Sequence, residues 1–164
     1  MKAGGWVENQ EFDLNPSSDD STIPADSKMT EWEALWNQAV ESVGMTGSCD
    51  PQNMAEQMKD AGFINITARE YKTPLGPWPK DKRLCESGQY NLVGISERLT
   101  ELSIRVFTRV LGWSVEEMEV LLAQVVAGWR KRTIHSYFPI WVVYGQKPPT
   151  KESWMKGKPP IISY

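Results

Sequence analysis

The stretch that most constrains this chain is its first dozen residues, Lys2-Ala3-Gly4-Gly5-Trp6-Val7-Glu8-Asn9-Gln10-Glu11-Phe12. The paired glycines supply a tight turn that tolerates positive φ. The run after them reads as a buried strand ending in carboxylates. A core strand that starts at residue 6 has nothing before it to pair with, so the sequence is expected to begin in the middle of a fold.

Residues 13–28 (DLNPSSDDSTIPADSK) are polar, acidic and punctuated by proline. A loop of that length in a compact domain is expected to be a functional lid or partly disordered. Thr30-Glu31-Trp32-Glu33 has capping-box spacing, and Trp32, Leu35, Trp36, Ala39, Val40 and Val43 fall on one helical face. Gly44 ends that helix. Asp50-Pro51 predicts a second, with aspartate as N-cap and proline at the first helical position, closed by Gly62. From Phe63 to Thr73 the pattern is that of a strand. The three prolines of 74–79 then enforce a turn or extended link.

Leu92, Ile95, Leu99, Leu102, Val106 and Val110 predict a long helix over 88–111, stopped by Gly112. Ser114-Val115-Glu116-Glu117 is a second capping box, opening a helix that runs to the basic Arg130-Lys131-Arg132 end. The β-branched and aromatic run from Ile134 to Tyr144 predicts a last strand, with Pro139 marking its start or an irregularity near an edge. Residues 149–164 show no periodic apolar face and are expected to be a disordered tail.

At 164 residues the chain is long enough for one domain with a real core. Its net charge of −3 argues against general nucleic-acid binding. Cys49 and Cys85 lack metal-like spacing and read as free thiols in a reducing compartment. With no signal peptide and no apolar run near the ~20 residues that span a bilayer, a cytoplasmic or nuclear location is the expectation.

Few residues suggest chemistry. Glu11 closes the first strand at the edge where open α/β sheets bind ligands, and could act as a hydrogen-bond acceptor or general base. The plainer reading is a solvated carboxylate. His135, the only histidine, precedes the last strand beside Tyr137. A lone imidazole can deprotonate a hydroxyl acceptor, while the plainer reading is a structural histidine after a basic helix end. Trp78, clamped between Pro77 and Pro79, suits the aromatic wall of a pocket roofed by the helical pair over 88–131, or a packing anchor.

Several of these segments carry a resemblance. Lys2 to Glu11, Ala61-Gly62-Phe63-Ile64, Pro74 to Asp81, Leu111-Gly112-Trp113-Ser114, Ile134-His135-Ser136-Tyr137 and Val143 to Pro148 occur in the order found in the fungal LaeA-like branch of class I S-adenosylmethionine (SAM) methyltransferases. The chain resembles the C-terminal half of such a protein over residues 2–148. The resemblance implies an α/β fold, a partial class I (Rossmann-like) domain over 1–148. Its strands five, six and seven would carry an inserted helical pair over 80–132, with the N-terminal SAM-binding half absent. It implies catalytic roles for Glu11, His135 and Tyr137, and acceptor binding by Trp78, Tyr90 and Asn91. The cofactor would be SAM, yet no Gly-rich loop that could cradle it is present in this sequence, so binding by this chain alone is not expected. No metal is implied.

Two functions follow as expectations. One is the acceptor-binding half of a truncated or split SAM-dependent methyltransferase of secondary metabolism. The other is a non-catalytic interaction module that regulates or complements a partner chain. In such a sheet strand five pairs with strand four on one side and strand seven on the other. The missing neighbour would leave Trp6–Phe12 as an open, apolar edge that invites another chain, either an N-terminal half or a second copy. Light scattering at tens of micromolar, a range where unprotected edges associate, is expected to show association. A clean monomer with residues 6–12 protected from hydrogen exchange would overturn this.

Overall fold

A computed structural model describes residues 1–149. The expected tail therefore lies, but for Pro149, outside the described residues. The elements in order are β1 (Trp6–Phe12), α1 (Lys28–Ser42), α2 (Pro51–Asp60), β2 (Ile64–Pro74) and α3 (Lys82–Arg105). A π-helical turn (Val106–Val110), α4 (Val115–Trp129) and β3 (Tyr137–Gln146) follow. The strands form a three-stranded sheet in the order β1-β3-β2. Its pairing is antiparallel: Gly4 N–H reaches Lys147 O at 3.0 Å, and Lys147 N–H returns to Gly5 O at 2.8 Å. The fold is thus α/β with a small antiparallel sheet.

The chain divides into two compact units. One comprises Met1–Glu11, Asp50–Glu70 and the chain from Trp141; the other comprises Phe12–Cys49 and Tyr71–Ile140. In the first, Tyr144 lies between Trp6 (ring centroids 5.9 Å) and the Arg69 guanidinium (5.9 Å above its ring). A Cβ on Gly145 would come within 3.2 Å of both Ile66 and Phe63, so a glycine is what lets β3 approach β2 here.

The second unit holds the main hydrophobic core, built from α1, α3, the π-turn and α4 around Trp32, Phe107, Trp129 and Phe138. Trp129 meets Trp32 and Phe138 edge-on, at 6.2 and 6.0 Å between centroids, the geometry aromatic quadrupoles favour. Burying each such side chain contributes on the order of 1.5–3 kcal/mol. The Trp32 indole N–H finds the buried Ser103 hydroxyl at 3.0 Å, joining α1 to α3 inside that core.

Local cap chemistry sets most boundaries. Asp50 accepts from the Gln52 and Asn53 amides with Pro51 at the first helical position, as its sequence predicts. Ser114 and Glu117 complete the expected reciprocal capping box. Gly112, at φ 74, follows the π-turn.

Other expectations are corrected. α1 is capped by Ser27, whose hydroxyl accepts from Thr30 N–H, three residues ahead of the predicted box. α3 begins at Lys82 because Asp81 accepts from Leu84 N–H, so Tyr90 and Asn91 lie inside that helix rather than opening it. β1 is not buried: Trp6 is 54% and Phe12 42% exposed. As an edge strand β1 has β3 on one side only.

Pro139 falls inside β3, the central strand, instead of starting it. Its carbonyl accepts from Asp13 N–H at 2.9 Å, but a proline has no N–H with which to complete that pair. The ladder with β1 stops there. The loop then rejoins the strand two residues away, where Ser17 and Tyr137 exchange backbone hydrogen bonds at 2.9 Å each way. The β1–α1 connection is thus tied back to β3 at Asp13 and Ser17.

Ser103→Ala is expected to leave the Trp32 N–H buried without a partner and to cost about 1–3 kcal/mol. Urea denaturation of the variant checks this. A loss below about 0.5 kcal/mol, under the usual range for such an orphaned donor, would show that the bond is dispensable.

Candidate functional site

All of the following geometry lies within the second unit. The Ser17–Tyr137 bridge carries the acidic pair Asp19-Asp20 against the end of β2 and the start of β3. Asp19 accepts from Lys72 Nζ at 2.7 and 2.8 Å and from the Tyr137 hydroxyl at 2.9 Å. The Lys72 ammonium also sits 5.0 Å above the Tyr137 ring. These hydrogen bonds, that from Lys72 foremost, hold the Asp19 carboxyl below its usual pKa, and Asp19 in turn raises that of Lys72. Burial, reinforced by the bond to Asp19, pushes the Tyr137 phenol up.

Asp20 turns the other way, to His135. Its Oδ2 lies 2.5 Å from His135 Nδ1, while Oδ1 accepts from the Ser18 and Thr22 hydroxyls, each at 2.8 Å. The imidazole contact, then the two hydroxyls, drive the Asp20 carboxyl far below the ordinary carboxylate range. Thr22 Oγ1 also accepts from the backbone N–H of His135 at 2.8 Å. The loop therefore grips His135 by main chain and side chain together.

Trp78 supplies the floor. Its ring stacks on the imidazole at 5.0 Å and 29° between planes, and its indole N–H donates to Ser136 O at 2.8 Å. Arg132 donates to the Pro77 carbonyl at 3.0 Å, steadying the proline-flanked turn. The imidazole remains 38% exposed, and among the described residues its Nε2 has no hydrogen-bond partner. A stacked, carboxylate-bound imidazole with one nitrogen free is chemically equipped to accept a proton.

Three of the sequence candidates, Trp78, His135 and Tyr137, thus come together. Tyr90 and Asn91, in the same unit, make no contact with this cluster among the described residues. Asn91 is half-buried and its amide donates to Pro74 O at 2.9 Å. Tyr90, also on α3, is 80% exposed. Glu11 belongs to the first unit and is exposed there. Asp19, Asp20, Thr22 and Lys72 escaped the sequence reading. Its sole signal was an acidic doublet in an unusually long loop. A cavity of about 640 Å³ lies elsewhere, between α1 and α4, lined by Lys28, Glu31, Trp113, Glu116, Val120 and Gln124.

The described residues do not fit a nucleoside cofactor. The β1–α1 connection contains no glycine, and its left-handed residue is Ser21 at φ 56. Gly44, Gly62 and Gly112 take positive φ just after helical segments, and Gly76 packs against Trp129 O, 2.8 Å from where a Cβ would stand. None lines a strand-to-helix phosphate or ribose cradle. Among the described residues no three His, Cys, Asp or Glu side chains converge as a metal site requires, and no helix is long and apolar enough to cross a membrane.

No protein-family model and no solved structure matches the chain. Known proteins do. Over 148 residues, 90% of this chain, it is 32% identical to the probable methyltransferase tdiE of Emericella nidulans, 46% of which is covered. Over the same share it is 37% identical to the methyltransferase pytC of Aspergillus terreus, 45% of which is covered. It is 26% identical to the secondary metabolism regulator laeA of Aspergillus fumigatus, with 39% covered. The chain therefore spans less than half the length of the curated relatives it matches.

The depressed carboxyls predict acid lability. Asp19 and Asp20 bind protons less readily folded than unfolded, so their stabilisation is complete above the ordinary carboxylate pKa and lost as pH falls through it and below. Burial raises the Glu33 pKa, which gives an effect of opposite sign. Thermal melts are expected to show stability falling from about pH 5 downward, with a shallower fall in Asp20→Asn. An unchanged slope in that variant would overturn the assignment.

Proposed function

We propose that this chain, kin to the fungal LaeA-like methyltransferases over nine tenths of its length, is the acceptor-side part of such an enzyme. The SAM-binding part would lie in residues outside this sequence. The observation that carries the reading is the match of 90% of the chain to under half of each of two named methyltransferases. The sheet order β1-β3-β2 supports it, being the order that strands five, seven and six of a class I sheet would give.

In this reading His135 is the base. Its Nε2, without a hydrogen-bond partner among the described residues, takes the proton of an acceptor X–H: an N–H bond forms, the X–H bond breaks, and the electron pair stays on X as nucleophile. Trp78 walls the site beneath the ring. Tyr137, already donating to Asp19, offers its remaining lone pairs to a donor on the acceptor. Tyr90 and Asn91 would belong to acceptor recognition on α3. Glu11, in the first unit, remains a hydrogen-bond acceptor or general base that the resemblance implies.

A second reading, a non-catalytic module that complements or regulates a partner chain, is favoured by β1. It is an edge strand with exposed Trp6 and Phe12, a surface suited to pairing with an N-terminal methyltransferase half or a second copy.

The test pairs the purified chain with the part of pytC outside the matched 148 residues. Calorimetry is expected to show no low-micromolar SAM binding by the chain alone and binding by the pair. Methyl transfer by the pair should fall about 10²-fold or more in His135→Gln, the scale of a general base. Tight SAM binding by the chain alone, or full transfer in His135→Gln, would overturn the proposal. SAM binding without any transfer would establish the second reading.

A further inference from the structure

We propose that Asp20 is a positioning residue that fixes His135 as its Nδ1–H tautomer and so leaves Nε2 as the proton acceptor. This inference rests on the reading of His135 as base. It assigns a role to a loop residue that none of the sequence motifs contains.

Asp20 Oδ1 is occupied by two hydroxyl donors, Ser18 and Thr22, and Oδ2 faces His135 Nδ1. An ionised carboxylate only accepts. The ring nitrogen facing Oδ2 must therefore carry the hydrogen, and in the neutral ring the lone pair then falls on Nε2. A free imidazole in water prefers the opposite tautomer, with the proton on Nε2, where it would block the acceptor. Without Asp20 the ring would hold its proton on the wrong atom most of the time.

Two further restraints keep the ring from turning its other nitrogen to the carboxylate. The Trp78 indole lies flat against one face of the imidazole and is itself tied to Ser136 O. Thr22 Oγ1 binds the backbone N–H of His135, so the main chain cannot swing to relieve a rotated ring. The neighbouring Asp19 serves as an internal comparison. It sits on the same loop at the next position, yet bonds Lys72 and Tyr137 and not the imidazole. A residue that merely anchored the loop would act alike from either position; a positioning residue acts only from Asp20.

Because His135 is the only histidine, ¹⁵N-edited long-range proton spectra of the whole labelled chain contain one imidazole and need no assignment. In mildly alkaline buffer the chain is expected to show Nδ1 protonated and Nε2 bare. Asp20→Ala should invert the population to mainly Nε2–H, Thr22→Val should shift it partway, and Asp19→Ala should leave it unchanged. An Nε2–H ring in the unaltered chain would overturn the proposal even if no variant folds. So would an unchanged tautomer in a folded Asp20→Ala, judged by its backbone amide spectrum, or an equal shift in Asp19→Ala. The measurement needs neither cofactor nor turnover. Failure of the methyltransferase reading, seen as full transfer by His135→Gln in the paired enzyme, is thereby distinguished from failure of the tautomer assignment.

Discussion

A missing hydrogen bond organises the candidate site. Pro139 stands in the middle strand of the sheet with its carbonyl bonded to Asp13 and no N–H to give back. The β1–β3 ladder cannot continue past that point, so the chain leaves the sheet at Asp13. A short turn follows, in which the Asp13 carboxylate accepts from the backbone and side-chain amides of Asn15. The Asn15 side-chain oxygen accepts in turn from the Asn37 amide on α1. When the loop rejoins β3 at Ser17 and Tyr137, its next residues, Asp19 and Asp20, are delivered to the strand end where Lys72, Tyr137 and His135 wait.

The second unit supplies the rigidity that such a device needs. His135 is flanked by residues of the apolar core: Ile134 before it is buried, and Phe138, three residues on, packs on both Trp129 and Phe12. The backbone of 134–138 is thus fixed by burial on one side. The half-buried imidazole and the exposed carboxylates meet on the other. Fixed main chain beneath solvent-reached functional groups is the arrangement that lets a hydrogen bond decide a tautomer and not merely a rotamer.

The same division explains which candidates stayed isolated. Tyr90 points from a helix face that the core does not use, and Asn91 satisfies a backbone carbonyl at the end of β2. Helical periodicity puts such residues on a face but does not say what that face meets. The long loop, read as a functional lid or a partly disordered segment, has hydroxyls and carboxylates that bond to Lys72, His135 and Tyr137.

What the sequence by itself determined was local or collective. Asp50 before Pro51 and Ser114 before Glu117 could be read directly, because a cap is settled within four residues by side chain and backbone alone. The order of segments determined the kinship. Where two cap residues stood close, as Ser27 and Thr30 do, local chemistry was ambiguous, and the tertiary path of the loop chose the earlier one. Asp20 and His135 are 115 residues apart. Their meeting depends on where a ladder stops and where a bridge restarts, and that register is set by the whole sheet and core together. No pattern within either segment encodes it, which is why His135 could be named from sequence and its partner could not.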